Sequence, residues 1–181
     1  MTDSRKSTGF LPDYCFDLVR EITVEFLASH GISGILLDID NTITRWEAPE
    51  VPQTEMDWLR SMQGSGIEIR LLSNGLARKK AAVVEQTGIT KVPGRSLKPT
   101  QAAFRSGLDD LKLQPGQVIM IGDSVFTDIV GANRAGIWTC LVEPLSPVDF
   151  IGSKAYRLLE RLLKLRRPLH PENDFRGGRG R

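Results

Sequence analysis

Cysteine and histidine are scarce: the 181-residue chain has two of each. Cys15 and Cys140 form no CxxC pair, which excludes a disulfide framework and a cysteine zinc site. That sparing usage points to a reducing compartment. His30 and His170 have no partner at ligand spacing and are assigned no role. Long apolar runs are missing too. The longest, near Val118–Ile121 and Ile137–Val142, reach about half a dozen residues, against the ~20 that a membrane-spanning helix needs. The opening MTDSRKSTGF lacks a basic end followed by an apolar stretch, so no secretory signal and a cytoplasmic location are expected. Together these absences exclude a secreted mini-protein, a channel, a zinc finger and a multidomain machine.

What is present describes one globular domain. Hydrophobic residues make up 40% and charged residues 25%, enough apolar material for a single core. The net charge of +2 is unevenly spread. Residues 154–181 hold nine Lys or Arg and three acids, so the end is +6 and the preceding body −4. Such a tail can meet phosphate-bearing surfaces or simply aid solubility.

Short apolar runs alternate with helical patterns. Gly34–Ile39, Ile67–Leu72, Gln117–Ile121 and Ile137–Val142 read as strands covered on both faces, with Ile89–Pro93 a weaker fifth. Thr54–Gln63, Ala77–Gln86, Pro99–Leu111 and Asp128–Arg134 read as helices. Gly88 supplies a left-handed stop for the second, and Pro99 sits at a first-turn position of the third. This order predicts an α/β fold, with helices on both sides of a parallel sheet of about five strands joined by right-handed crossovers. Residues 1–33 are expected to be a helical segment, with Pro12–His30 as one or two helices packed on the core. Residues 34–152 form that core, 153–167 a basic amphipathic helix, and 168–181 a disordered basic tail.

Function in an open parallel sheet gathers at the carboxyl ends of its strands. Asp38, Asp40 and Thr42 follow the first strand; Ser73 and Asn74 follow the second. Lys98 precedes the Pro99 helix, and Asp123 and Asp128 follow the strand ending at Ile121. Carboxylates crowded at one rim repel unless a cation or proton neutralises them. Hard oxygen donors without His or Cys select Mg²⁺, which shares its shell with substrate phosphate. Helix N-termini and Lys98 add positive potential for a phosphoryl group. Two aspartates two positions apart can divide the work of nucleophile and acid/base.

The segments DIDNT (38–42), LLSNG (71–75), SLKP (96–99) and GDSVFTD (122–128), in this order, resemble the four motifs of the haloacid dehalogenase (HAD) superfamily of phosphatases. FLPD (10–13), Trp46 after DNTIT, and TDIVGANRAG (127–136) resemble the YqeG-type phosphatases of HAD subclass IIIA. That family includes relatives of mitochondrial phosphatidylglycerophosphate phosphatase. The resemblance implies a three-layer Rossmann-like core. It implies Asp38 as nucleophile and metal ligand, and Asp40 as acid/base with its carbonyl on the metal. Thr42 would support the loop. Ser73 and Asn74 would hold the phosphoryl group, and Lys98 would neutralise it. Asp123 would complete the Mg²⁺ ligands, with Asp128 acting through water or behind them.

Taken singly, each motif has a bland reading: an Asp-x-Asp cap, a Ser-Asn-Gly turn, a solvated lysine. Their joint order carries the signal. Arg78, Lys79 and Lys80 read as the wet face of a helix, Trp46 and Trp58 as packing residues, and Cys140 as core. The intervals between the motifs leave no room for a folded cap, so a capless site open to a large or surface-bound phosphomonoester is expected. Phosphatidylglycerophosphate leads by resemblance. In 153–167, Ala155, Leu158, Leu159, Leu162 and Leu165 share a face rimmed by cations. It is expected to dock on the core, with peripheral contact to an anionic inner-membrane surface as the other option. The RGGRGR end is six residues without aromatics, so no nucleic-acid partner is expected. Two alternatives stand beside this reading: a phospho-ligand or RNA-binding module with negligible turnover, and a soluble-metabolite phosphatase whose oligomer supplies the missing cover.

Overall fold

The computed structural model describes residues 9–94 and 97–146. The predicted C-terminal helix and tail lie outside the described residues. Five parallel strands form one sheet in the order β1-β5-β4-β2-β3. They are β1 (Tyr14–Phe16), β2 (Gly34–Leu37), β3 (Glu68–Leu71), β4 (Val118–Gly122) and β5 (Trp138–Val142). The helices are α1 (Val24–Ser29), α2 (Gln53–Gly64), α3 (Ala77–Thr87), α4 (Gln101–Leu111) and α5 (Val130–Arg134).

Strand periodicity sorts the core into two layers. Ile35 and Leu37 of β2, with Ile119 and Ile121 of β4, pack with Trp58, Leu59 and Met62 of α2 and Val83 of α3. Their alternating neighbours Leu36, Val118 and Met120 pack with Ala103 and Phe104 of α4 and Ala132 of α5. Every residue of β2 and β4 is buried, which is why these strands read as continuous apolar runs.

The predicted strands and helices return within a residue or two, and α3 stops at Gly88 with φ 69°. Three local expectations change. Residues 14–16 are not helical; they form an edge strand beside β5, pairing Tyr14 with Cys140 and Phe16 with Val142. Tyr-Cys-Phe suits a strand, and the open edge of β5 overrides the helical reading of its neighbours. Ile89–Pro93 contributes one bridge, Leu71 to Lys91, rather than a strand. Pro99 stands before the helix: the Lys98–Pro99 peptide is cis, and α4 starts at Gln101 with Thr100 at its cap.

The edge strand is held by side chains far away in sequence. The Asp13 carboxylate accepts from the Thr139 amide at 2.8 Å and the Thr139 hydroxyl at 2.7 Å. The buried Asn133 amide donates to the carbonyls of Gly9 and Leu11 at 3.1 and 2.9 Å. FLPD and TDIVGANRAG, read separately as signatures, are thus two sides of one joint.

Candidate active site

The sheet order reverses direction at β2. From there the chain goes to β3 on one side, then to β4 on the other. At this switch the connections leave opposite ways and open a crevice above the carboxyl ends. Leu37 lies beside Ile121, and the Asp38 amide donates to the Ile121 carbonyl at 2.9 Å. Asp38 and Asp123 therefore leave adjacent strands into the same crevice.

Asp38, Asp123 and Asp128 each offer a carboxylate oxygen, and these oxygens lie within 4.8 Å of one another. All three residues are buried. Asp128 arrives on a π-helical turn, Val125–Ile129, whose wider winding follows Ser124. Its Oδ2 accepts from the Ser124 amide at 3.1 Å. Gly122 makes this approach feasible: a Cβ there would stand 2.2 Å from Asp128 Oδ2.

Lys98 enters from the opposite loop, itself buried. Its Nζ lies 2.5 Å from Asp38 Oδ1 and 2.6 Å from Asp128 Oδ1. Asn74 aims it from behind: the Asn74 side chain takes the Lys98 amide and gives to the Lys98 carbonyl, both at 2.8 Å. Burial opposes the Lys98 charge, but Asp128 and Asp38 outweigh it and hold its pKa above the ordinary lysine value. Burial pushes the Asp38 carboxyl well above the usual carboxylate range. Lys98 pulls it down, and Asp128 and Asp123 push it further up. Three carboxylates against one ammonium leave a formal charge of −2, which a divalent cation cancels. The cluster of hard oxygen donors fits such a cation.

Asp40 is turned away from that cluster. Its Oδ2 accepts from the Ser73 hydroxyl at 3.3 Å, and its Oδ1 pairs with Lys79 Nζ at 2.7 Å. Gly75 lets the carboxylate lie against the loop after β3, because a Cβ there would meet Asp40 Oδ2 at 2.2 Å. Thr42 is buried, and its hydroxyl has no partner among the described residues. Thr44 closes the turn instead, donating to the Ile39 carbonyl at 3.1 Å. All eight residues marked in the sequence thus flank one crevice or line the loops that shape it.

Lys79 is the residue that sequence reasoning misplaced. Its side chain is 12% exposed, and besides Asp40 it donates to the carbonyls of Arg45 and Trp46 at 2.6 and 3.2 Å. The indole of Trp46 stands 5.9 Å away. Three consecutive cations point about 100° apart on a helix, and the pattern alone does not say which one faces inward.

Between Thr42 and Ser73 lie a loop, α2 and β3; between Ser73 and Lys98 lies α3. No cap is inserted among the described residues. No described helix is long and apolar enough to cross a membrane.

Residues 97–144 match a family described as HAD-hydrolase-like. The chain is 32% identical over 152 residues to a probable phosphatase YqeG of Bacillus subtilis, covering 84% of this chain and 88% of that protein. It is 33% identical over 181 residues to phosphatidylglycerophosphate phosphatase 1 of Arabidopsis thaliana, covering 89% of this chain and 50% of that longer protein. Among solved structures, 3-deoxy-D-manno-octulosonate 8-phosphate phosphatase of Yersinia pestis superposes with a TM-score of 0.50 at 18% identity, over 67% of this chain and 69% of that one. An uncharacterized Listeria monocytogenes protein gives 0.50 at 19%, over 74% and 98%. With the four motifs assembled around one crevice on this fold, the chain belongs to the YqeG-type phosphatases of the HAD superfamily.

Proposed function

We propose that this phosphatase hydrolyses a phosphomonoester through an aspartyl phosphate on Asp38, with Mg²⁺ as its cation. The observation that carries the reading is the buried triad Asp38, Asp123 and Asp128 set against the single ammonium of Lys98. Asp38, Asp123 and Asp128, with the main-chain carbonyl of Asp40, would hold the ion. When bound, it keeps Asp38 ionised and offsets charge on the transferring group.

The chain's own groups divide the rest. An Asp38 carboxylate oxygen attacks phosphorus, and the bond from phosphorus to the ester oxygen breaks. Protonated Asp40 gives its proton to the departing alkoxide. Asp40, now a carboxylate, takes a proton from water as that water attacks the aspartyl phosphate. Phosphate leaves and Asp38 is restored. Ser73 and the Asn74 backbone would meet the phosphoryl oxygens, and Lys98 would neutralise them. Thr42 would brace the loop that carries both aspartates.

For substrate class we favour a lipid-linked ester, phosphatidylglycerophosphate first. The similarity to the Arabidopsis phosphatase supports it, as does a 31% match to a Chlamydomonas reinhardtii protein of the same name. A second reading is a soluble phosphate ester, favoured by 28% identity to a ribulose-1,5-bisphosphate 5-phosphatase of Halopiger xanaduensis. The basic segment behind the nucleic-acid alternative lies outside the described residues.

Turnover of an aryl phosphate with Mg²⁺ tests the mechanism. The wild-type chain should be active, and Asp38→Asn should lose at least ~10³-fold. Equal rates would end the proposal. Phosphatidylglycerophosphate in vesicles, against a panel of sugar and nucleoside phosphates, decides between the two substrate readings.

A further inference from the structure

Among the described residues, four large hydrophobic side chains are exposed, and the two most exposed flank the catalytic loops. Leu76 is 79% exposed and Leu97 54%. Leu76 follows Gly75, against which Asp40 lies; Leu97 precedes Lys98. The other two, Phe10 and Leu11, belong to the N-terminal joint, where Phe10 already leans on Phe126 at 6.1 Å.

The two leucines are presented firmly. Asn74 staples their loops together through both backbone groups of Lys98. The Leu97 carbonyl accepts from the Thr100 amide at 2.9 Å and the Thr100 hydroxyl at 2.6 Å. Leu76 stands at the cap of α3, where the Leu76 carbonyl accepts from the Lys80 amide at 3.1 Å. Neither side chain is needed for these bonds. Two exposed cations lie on the adjoining segments: Arg78, two residues beyond Leu76 in sequence, and Arg45, whose carbonyl is held by Lys79 of the helix that Leu76 caps. Glu47, on the Arg45 loop, is engaged by the Ser146 hydroxyl at 3.0 Å.

Apolar side chains held out beside cations match the boundary of an anionic bilayer, where hydrocarbon meets negative headgroups. We propose that Leu76 and Leu97, with Arg45 and Arg78, seat the catalytic rim on an anionic lipid surface. The inference rests on the lipid-ester reading above and adds where the membrane meets the protein. A phosphate at the bilayer surface would then approach Asp38 with no cap among the described residues to cross.

The experiment measures partition of the full chain onto phosphatidylcholine vesicles with and without phosphatidylglycerol. Wild type should bind the anionic vesicles, and Leu76→Ser/Leu97→Ser should bind about tenfold less. Its turnover of a soluble aryl phosphate should stay within about twofold. Leu76→Trp/Leu97→Trp should restore binding, which separates insertion from disturbance of the neighbouring loops. Partition is read without turnover, so an inert catalytic site would not affect it. The proposal is overturned by absent wild-type binding, by binding that the serine pair leaves unchanged and salt removes, or by light scattering in which the leucines instead hold two copies together.

Discussion

Lys79 Nζ stands 2.7 Å from Asp40 Oδ1, while Ser73 holds the other oxygen of the same carboxylate at 3.3 Å. The acid/base candidate is therefore gripped from both sides, and its loop is tied to α3 through the carbonyls of Arg45 and Trp46. If Lys79 positions Asp40 for leaving-group protonation, its loss should depend on the leaving group. Lys79→Met should lower turnover of alkyl phosphates about 100-fold and of aryl phosphates, whose leaving oxygen needs little protonation, less than about tenfold. Lys79→Arg should recover most of the difference. An equal loss on both substrates would mean that the lysine only braces the loop.

The elevated Asp38 pKa links stability to pH and metal. A folded chain that keeps a proton its unfolded form has released loses stability as pH rises. That contribution is fully present below the ordinary carboxylate range and disappears as pH climbs through the raised value. Lys98, also raised, keeps its charge throughout this window. Mg²⁺ would displace the Asp38 proton, so its effect on Tm should grow with pH across the same range. Calorimetry with Mg²⁺ or a chelator at several pH values reads this directly. A metal effect that shrinks with pH would contradict it.

Gly122 offers a test of the acidic cluster that leaves its three carboxylates themselves intact. The added methyl of Gly122→Ala would fall 2.2 Å from Asp128 Oδ2 and push that carboxylate aside. Activity should fall about 100-fold, the scale of a roughly 1 Å misplacement, with the circular dichroism spectrum preserved. Near-wild-type turnover would mean that Asp128 is not needed in that position.

The N-terminal joint should matter to stability rather than chemistry. Asn133→Ala removes both bonds to the carbonyls of Gly9 and Leu11 in a buried setting. A loss of about 2–3 kcal/mol in urea unfolding is expected, with kcat for an aryl phosphate nearly unchanged. A large drop in kcat at full stability would move Asn133 into the functional machinery.

The candidate site was legible because its residues sit at fixed places in local structure. Asp38, Ser73 and Asp123 each come directly after or close behind an apolar strand run, and short connections force a parallel sheet whose carboxyl ends share a rim. Residue type then limits the chemistry to hard cations and phosphoryl groups. These steps use only neighbours in sequence, so sequence by itself determined the fold class, the motif order and which eight residues are the candidates for the site. Tertiary structure decided what depends on distant partners. Tyr14–Phe16 is a strand because β5 presents an open edge, which no pattern within residues 12–30 encodes. Lys79 faces inward because Asp40 and the Arg45–Trp46 carbonyls await it across the crevice. Leu76 and Leu97 stay exposed because the loops beneath them are pinned by Asn74 and Thr100. Local pattern sets most of the backbone; three-dimensional packing settles which side chains meet and where an open sheet edge recruits a strand.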